Sequence, residues 1–408
     1  MLLCVTEIKT NSLETAYRYV EQRMDIKKLT DELSEKNCDA YVIYDSAENP
    51  DMHYLSRFSA GDPYIYLCLK SGEERLIVAS MEELRAQKEA RCPVISRTSA
   101  GFMDYLAEGC SADEAAAQMI TAQCCSGDSA QKRLLVPYSM PAGFARALSK
   151  HAEVCIDTET VSSMRSVKTP EEIEEIRAVQ RENEWGVRRA VDAVKKSVIG
   201  DDDVLYFEDE VLTSEKIRKI LHEAFYDKGL EDRDTIISCG KDTALPHAKG
   251  EGALYAHQPI VMDVFPCRIN GYFADMTRTI SKGKPSDEIC AMYETVREAK
   301  ELAASMIKPG ITGAEAHNAV AEYFTAHGYE TAGTSGFIHS LGHGVGLAIH
   351  ESPSLSPRGE ELRPGNVITL EPGLYYPGTG GVRLEDMGAV TEDGFDRFTI
   401  FEEELIVA

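Results

Sequence analysis

Four acidic residues, Asp263, Asp275, Glu371 and Glu385, stand inside apolar, strand-like runs in the last third of this 408-residue chain. An unpaired carboxylate is costly to bury in such a run, so strands that carry four of them can pack only if the charges share a partner. A two-metal hydrolytic site is one such partner, because divalent ions accept carboxylate oxygen and imidazole together. Imidazole is at hand: His339, His343 and His350 fall within twelve residues, between the two acidic pairs.

In Ile260-Val261-Met262-Asp263-Val264-Phe265 the acid lies among strand-favouring residues, and Asn270-Gly271 supplies turn chemistry before residues 272–280. A hairpin here would bring Asp263 and Asp275 side by side, although either acid alone could pair with Arg278 instead. Residues 367–375 and 381–390 repeat the arrangement with Glu371 and Glu385. Alternation of period two puts Arg383 and Glu385 on one face and Val382 and Leu384 on the other. Arg383 can then orient a carboxylate, or it could pair with Glu385 across a sheet surface. The glycines flanking His343 allow a close backbone approach. A lone histidine there could be an ordinary core or surface group, and the acids are what make His343 a candidate ligand. Gly-His-Gly-Val-Gly lacks the spacing of a dinucleotide fingerprint.

A chain of this length predicts two domains. Residues 24–150 alternate helix (26–36, 81–90, 142–150) and strand (39–44, 64–70, 74–78, 133–137), the pattern of an α/β domain. Residues 1–23 form an amphipathic segment of uncertain status. The character changes at 156–166, and Lys168-Thr169-Pro170-Glu171-Glu172 opens a long helix, with Thr169 as N-cap, Pro170 at the first helical position and acids in the first turn. Ile173, Ile176, Val179, Trp185, Val187 and Val191 mark its buried face. Residues 201–210, rich in acids, predict a solvated loop, followed by helices at 214–228, 286–306 and 313–327. The division is therefore an α/β domain over 1–162 and an α+β domain over 163–408.

The net charge of −25 argues against a nucleic acid partner, whose phosphates need Lys and Arg. No run of about 18 apolar residues and no leader pattern is visible, so a membrane is not expected and a cytoplasmic protein is. Eleven scattered cysteines, with Cys124-Cys125 the one close pair, read as free thiols in a reducing compartment.

His247 in Leu-Pro-His-Ala, Asp263, Asp275-Met-Thr-Arg-Thr, Gly-His343-Gly-Val-Gly, His350-Glu-Ser-Pro, Thr-Leu-Glu371-Pro-Gly and Arg-Leu-Glu385-Asp follow one another in order. This series resembles metallopeptidase family M24, the pita-bread enzymes that include Xaa-Pro aminopeptidase, Xaa-Pro dipeptidase (prolidase) and methionine aminopeptidase. The resemblance covers residues 165–408. Asn49-Pro-Asp-Met-His-Tyr-Leu-Ser-Arg-Phe58 and Ser163-Met-Arg-Ser-Val-Lys-Thr-Pro-Glu-Glu-Ile173 resemble the creatinase-type N-terminal domain, which methionine aminopeptidase lacks. One departure stands out. The commoner family pattern is Asp-x-Gly with the second Asp eleven positions on, whereas Asp263-Val-Phe-Pro leads to Asp275 at twelve. The extra residue alters the pocket beside the metals more than the ligands themselves.

The resemblance implies a pita-bread catalytic domain whose metal ligands are Asp263, Asp275, His343, Glu371 and Glu385, holding two divalent ions with Asp275 and Glu385 bridging. Oxygen-rich ligation with one imidazole suits manganese or cobalt, with zinc and iron as alternatives. It further implies hydrolysis of a peptide bond in short peptides, before proline, by an activated water. His350 would stabilise the oxyanion, Glu371 would shuttle the proton to the leaving amine, and His247 and His339 would contact substrate or line the pocket, with Arg383 beside them. A homodimer is implied as well. Two other readings are a creatinase-like hydrolase of a non-peptide C–N bond and a non-catalytic peptide-binding module; the complete acidic set argues against both.

Overall fold

The computed structural model describes residues 26–124, 132–269 and 271–408. The segment 1–23, Cys125 and Asn270 fall outside the described residues. The chain divides into two compact units, the first ending at Met164 and the second running Arg165–Ala408.

The first unit is built on a six-stranded sheet in the order Val94–Ser96, Glu74–Val78, Tyr64–Leu69, Ala40–Asp45, Lys132–Pro137, Ala152–Asp157. Ala40–Asp45 runs antiparallel to Tyr64–Leu69 and parallel to Lys132–Pro137. Every residue of Tyr64–Leu69 is buried, as a strand covered on both faces requires. Val42, Ile65 and Leu67 pack with Ile120, Phe144 and Leu148 from helices Ala112–Gln123 and Ala142–Leu148. The first of these helices is not foreseen, because Ala115-Ala116-Ala117 carries little apolar contrast. Its start signal is nonetheless legible, since Ser111 and Glu114 form a capping box.

The second unit opens with helix Pro170–Lys196, capped by Thr169 and Glu172 reciprocally. Ile176, Val179, Val187 and Val191 are buried. Trp185 is only half-buried, with the Arg189 guanidinium 4.6 Å and the Lys228 ammonium 4.8 Å from its ring centre. Residues 201–210 are not a plain solvated loop. Leu205–Phe207 forms the middle strand of a three-stranded sheet with Val198–Ile199 and Glu210–Val211, because Val204 and Leu205 are buried among the flanking acids.

The first acidic hairpin pairs Ile260–Val264 with Met276–Lys282, placing Asp263 opposite Thr277. Asp275 precedes its strand by one residue and by alternation shares the face of Thr277. The second hairpin, expected as one continuous pair, is divided. Val367–Leu370 pairs with Asp386–Val390 in a five-stranded sheet, while Gly373–Tyr376 and Gly380–Arg383 form a sheet of their own. The register continues through the break, with Leu370 opposite Asp386 and Gly373 opposite Arg383, so Glu371 and Glu385 fall opposite each other inside it. Pro372 has no N–H to give the ladder there. The Glu385 N–H donates instead to the Thr277 carbonyl at 3.0 Å, and Arg278 Nη1 donates to the Glu385 carbonyl at 2.6 Å. These bonds join the two hairpins edge to edge.

Helices Asp287–Met306 and Gly313–Ala326 cover the other side, with Met292, Val296, Val320 and Phe324 packed around Ile368, Leu370, Val382 and Leu384. Val382 and Leu384 thus point into the core and Arg383 and Glu385 away from it. His343 sits in strand Gly342–Gly344, where a Cβ on Gly342 would lie 2.1 Å from the Thr369 carbonyl oxygen. Gly342→Ala must therefore push this strand off its neighbour. We expect a loss of about 2–4 kcal/mol in a denaturant melt, in the range of overpacked or strained sites, and an unchanged midpoint would contradict the close approach.

Candidate metal centre

Asp263, Asp275, His343, Glu371 and Glu385 converge on one cavity of about 480 Å³, a size suited to a small ligand. His247, His339, His350 and Arg383 line the same cavity, and Phe265, which stands where the commoner pattern has glycine, forms part of its wall. Asp275 and Glu385 are 4% and 2% exposed. The site is thus assembled from two hairpins, the second of them broken at Glu371 and Glu385, and one glycine-flanked strand.

His343 Nδ1 lies 3.1 Å from the Gly344 carbonyl oxygen, an acceptor only, so Nδ1 carries the proton and Nε2 keeps its lone pair. Nε2 is 3.4 Å from Glu371 Oε1 and 3.6 Å from Asp275 Oδ2. Burial, with the neighbouring His350 adding to it, pushes the His343 imidazole down to about 4, so it is neutral across the physiological range. A neutral imidazole aimed at carboxylates offers them no proton and no charge.

The carboxylates have little else to satisfy them. Asp275 Oδ1 and Glu385 Oε1 are buried without a hydrogen-bond partner. Glu385 Oε2 accepts from Thr277 Oγ1 at 2.8 Å, and Asp263 Oδ2 accepts from Arg383 Nη2 at 2.5 Å. Burial, and then the charge of Glu385, raise Asp275 and Glu371 well above the carboxylate range; burial, and then Asp263, raise Glu385 to about 8.

Asp386, the neighbour of Glu385, provides the control. It is equally buried, and burial alone would push it up, yet Arg278 and Lys300 hold it below the usual carboxylate value. Arg278 Nη2 donates to Asp386 Oδ1 at 2.8 Å, and the fully buried Lys300 ammonium pairs with Asp386 and Glu403. The cluster Glu301, Asp386 and Glu403 is therefore already neutralised by protein cations. Arg278 is also thereby removed as a partner for Asp263 or Asp275. The group Asp275, His343 and Glu385, with ligand atoms within 4.8 Å of one another, has no cation hydrogen-bonded to it among the described residues, and burial outweighs the pull of the nearby Arg383 charge on both carboxylates. Orphaned carboxylate oxygens beside a neutral imidazole nitrogen are a donor set that divalent cations fit.

The remaining side chains divide into held and open. Arg383, almost fully buried, donates to Asp263, to the Tyr375 hydroxyl at 2.8 Å and to Thr277 Oγ1 at 3.2 Å, so its guanidinium is occupied by protein groups. Tyr375 in turn meets His339 Nε2 at 2.9 Å, and His339 Nδ1 meets the Ser340 carbonyl at 2.8 Å. Both His339 nitrogens are engaged, and burial, with the Arg383 charge adding to it, lowers that ring to about 3. His247 and His350 are exposed, and the His350 ring stands edge-on to His343 with centres 4.3 Å apart. Thr277 and Tyr375 were not singled out from sequence, although period two from Asp275 and from Glu371 puts both on the site face.

Metallopeptidase family M24 matches residues 174–392, and the creatinase/prolidase N-terminal domain matches residues 26–179. An Xaa-Pro dipeptidase of Pyrococcus horikoshii is 32% identical over 397 residues, 93% of this chain and 98% of that protein. The crystal structure of a prolidase from Pyrococcus horikoshii superposes with a TM-score of 0.79 at 28% identity, covering 94% of this chain and all of that one. An X-Pro aminopeptidase from Thermotoga maritima superposes with a TM-score of 0.75 at 27% identity, covering 91% and 99%. Among the described residues no helix is long and apolar enough to cross a membrane, and the nine described cysteines are free thiols. With the family match spanning more than half its length, the chain belongs to metallopeptidase family M24: it is a hydrolase with a creatinase-type N-terminal domain and a pita-bread catalytic domain.

Proposed function

We propose that Asp263, Asp275, His343, Glu371 and Glu385 hold two divalent ions and that the chain hydrolyses short peptides before proline, as an Xaa-Pro dipeptidase or aminopeptidase. The observation that carries this reading is the contrast between Asp386, hydrogen-bonded to protein cations, and the neighbouring Asp275 and Glu385, whose Oδ1 and Oε1 are buried without a hydrogen-bond partner. Divalent ions at these residues supply a nucleophile at neutral pH and Lewis acidity toward the scissile carbonyl. Manganese or cobalt suits four carboxylates and one imidazole best.

The protein's own groups do the rest. Glu371 takes a proton from the attacking water and returns it to the leaving amine. His350, whose imidazole takes no hydrogen bond from the described residues, donates to the carbonyl oxygen as negative charge develops on it. His247 contacts the substrate from the exposed side. His339 lines the pocket as the end of the Arg383–Tyr375 chain, and Arg383 fixes Asp263. The proline preference rests on the relatives, which are an Xaa-Pro dipeptidase and an X-Pro aminopeptidase in their own right. The domain division at 162/163, a homodimer and a cytoplasmic setting belong to the same reading, and free thiols suit a reducing compartment.

The test is hydrolysis of Ala-Pro, Ala-Pro-Ala, Met-Ala-Ser and creatine by chelator-stripped protein reloaded with manganese, cobalt or zinc. Cleavage before proline that returns with metal is the expected result, and the ratio of dipeptide to tripeptide rates separates dipeptidase from aminopeptidase. Silence on all peptides with two ions bound per chain would sink the proline reading and turn attention to the wall formed by Phe265.

A further inference from the structure

His350 reaches the cavity without a hydrogen bond from any described residue to its imidazole, so its direction depends on how firmly its backbone is held. The next residue holds it. The Glu351 carboxylate is 1% exposed and lies between two cations from the segment leading into the long helix, Lys168 at 2% and Arg165 at 8%. Lys168 Nζ donates to Glu351 Oε1 at 2.6 Å, and Arg165 Nη1 pairs with Oε2. Oε2 also accepts the Ala348 N–H at 3.3 Å. The loop that carries His350 therefore folds back over the carboxylate of the residue that ends it.

Two further contacts make this loop single-valued. A Cβ on Gly346 would lie 2.4 Å from Glu351 Oε1 and 3.1 Å from Lys168 Cε, so the backbone rests directly on the ion pair. The Gly346 carbonyl accepts the Phe273 N–H at 2.9 Å, two residues before Asp275. At the far end, the Lys168 N–H donates to the Gly365 carbonyl at 2.9 Å and Asn366 Nδ2 donates to the Ser166 carbonyl at 2.8 Å, so the cations are themselves anchored. A buried carboxylate between two fixed cations has one favourable position, and removing its charge leaves two buried cations facing each other.

We propose that Glu351, through Lys168 and Arg165, is a positioning residue that fixes His350 toward the scissile carbonyl. This rests on the role assigned to His350 above. A residue that acts only through His350 loses its influence once His350 is gone, which a merely structural residue does not.

The experiment is a double-mutant cycle on the metal-loaded full chain with Ala-Pro as substrate: Glu351→Gln, His350→Ala and both together, with metal content and melting point recorded for each. Glu351→Gln is expected to lower kcat by about 10–100-fold with KM changed less than about 3-fold and two ions retained, yet to lower it less than about 2-fold further in the His350→Ala background. Losses that multiply across the two backgrounds, or a folded Glu351→Gln protein with wild-type kcat, would overturn the proposal. If Glu351→Gln does not fold, Lys168→Gln, which keeps the Arg165–Glu351 pair, is carried through the same cycle and must show the same vanishing effect on kcat. A His350→Ala protein with undiminished kcat would instead remove the role given to His350, and the proposal with it.

Discussion

Asp275→Asn is expected to leave the protein folded but with fewer than two ions per chain, and to reduce kcat/KM at least about a thousand-fold, or about 4 kcal/mol of transition-state stabilisation. The substitution keeps the shape of the side chain. It replaces one oxygen of a charged ligand by an NH₂ group in a place where Oδ1 has no other partner and Oδ2 faces His343. An amide can neither neutralise a divalent ion nor accept through both of its heavy atoms. Metal analysis and turnover on the same sample decide the matter, and full metal loading with retained turnover would remove Asp275 from the site.

The metal-free protein should lose stability as pH rises, which is the opposite of the behaviour of a protein held by ion-paired carboxylates. Glu385 is raised to about 8 by burial and then by Asp263, and Asp275 and Glu371 are raised well above the usual range. A folded state with raised carboxylate pKa values still binds protons after the unfolded chain, titrating near 4, has released them. That contribution is complete below about pH 4 and declines as pH climbs through the folded values toward about 8. In chelator we expect the melting point at pH 8 to lie about 5 °C or more below that at pH 5.5, since about 1 kcal/mol moves a domain of this size by roughly 2–4 °C. Glu385→Gln, also in chelator, should melt higher than the parent at pH 8 and show a flatter profile. A parent melting point that holds level or rises over this interval would mean that the carboxylates do not repel one another as described.

Much of this site is legible in the sequence because its ligands break a local rule. Asp263 within Ile260–Val264 and Glu371 after Val367–Leu370 are charges in otherwise buried strands, and the alternation at Val382, Arg383, Leu384 and Glu385 holds in the structure. What the sequence hides is pairing over distance. Nothing near Glu351 announces Lys168, 183 positions earlier, and nothing near Asp386 announces Lys300. The break in the second hairpin is hidden for a related reason: Pro372 marks the place, but only the neighbouring hairpin, by taking the Glu385 N–H, makes a divided pair preferable to a continuous one. The acidic run 201–210 misleads because its charges surround Val204 and Leu205, and a count of charges does not see what a single buried pair can anchor.

Trp185 is the sole tryptophan of the chain, and its ring lies under Arg189 and Lys228 in the unit that begins at Arg165. Selective tryptophan emission is therefore a native optical reporter of that one unit. Lys228 follows the helix Ser214–Tyr226, so the signal should change when this helix leaves Pro170–Lys196, without any label being introduced. Circular dichroism follows both units, so a difference between the two traces would reveal whether the units melt together or in turn.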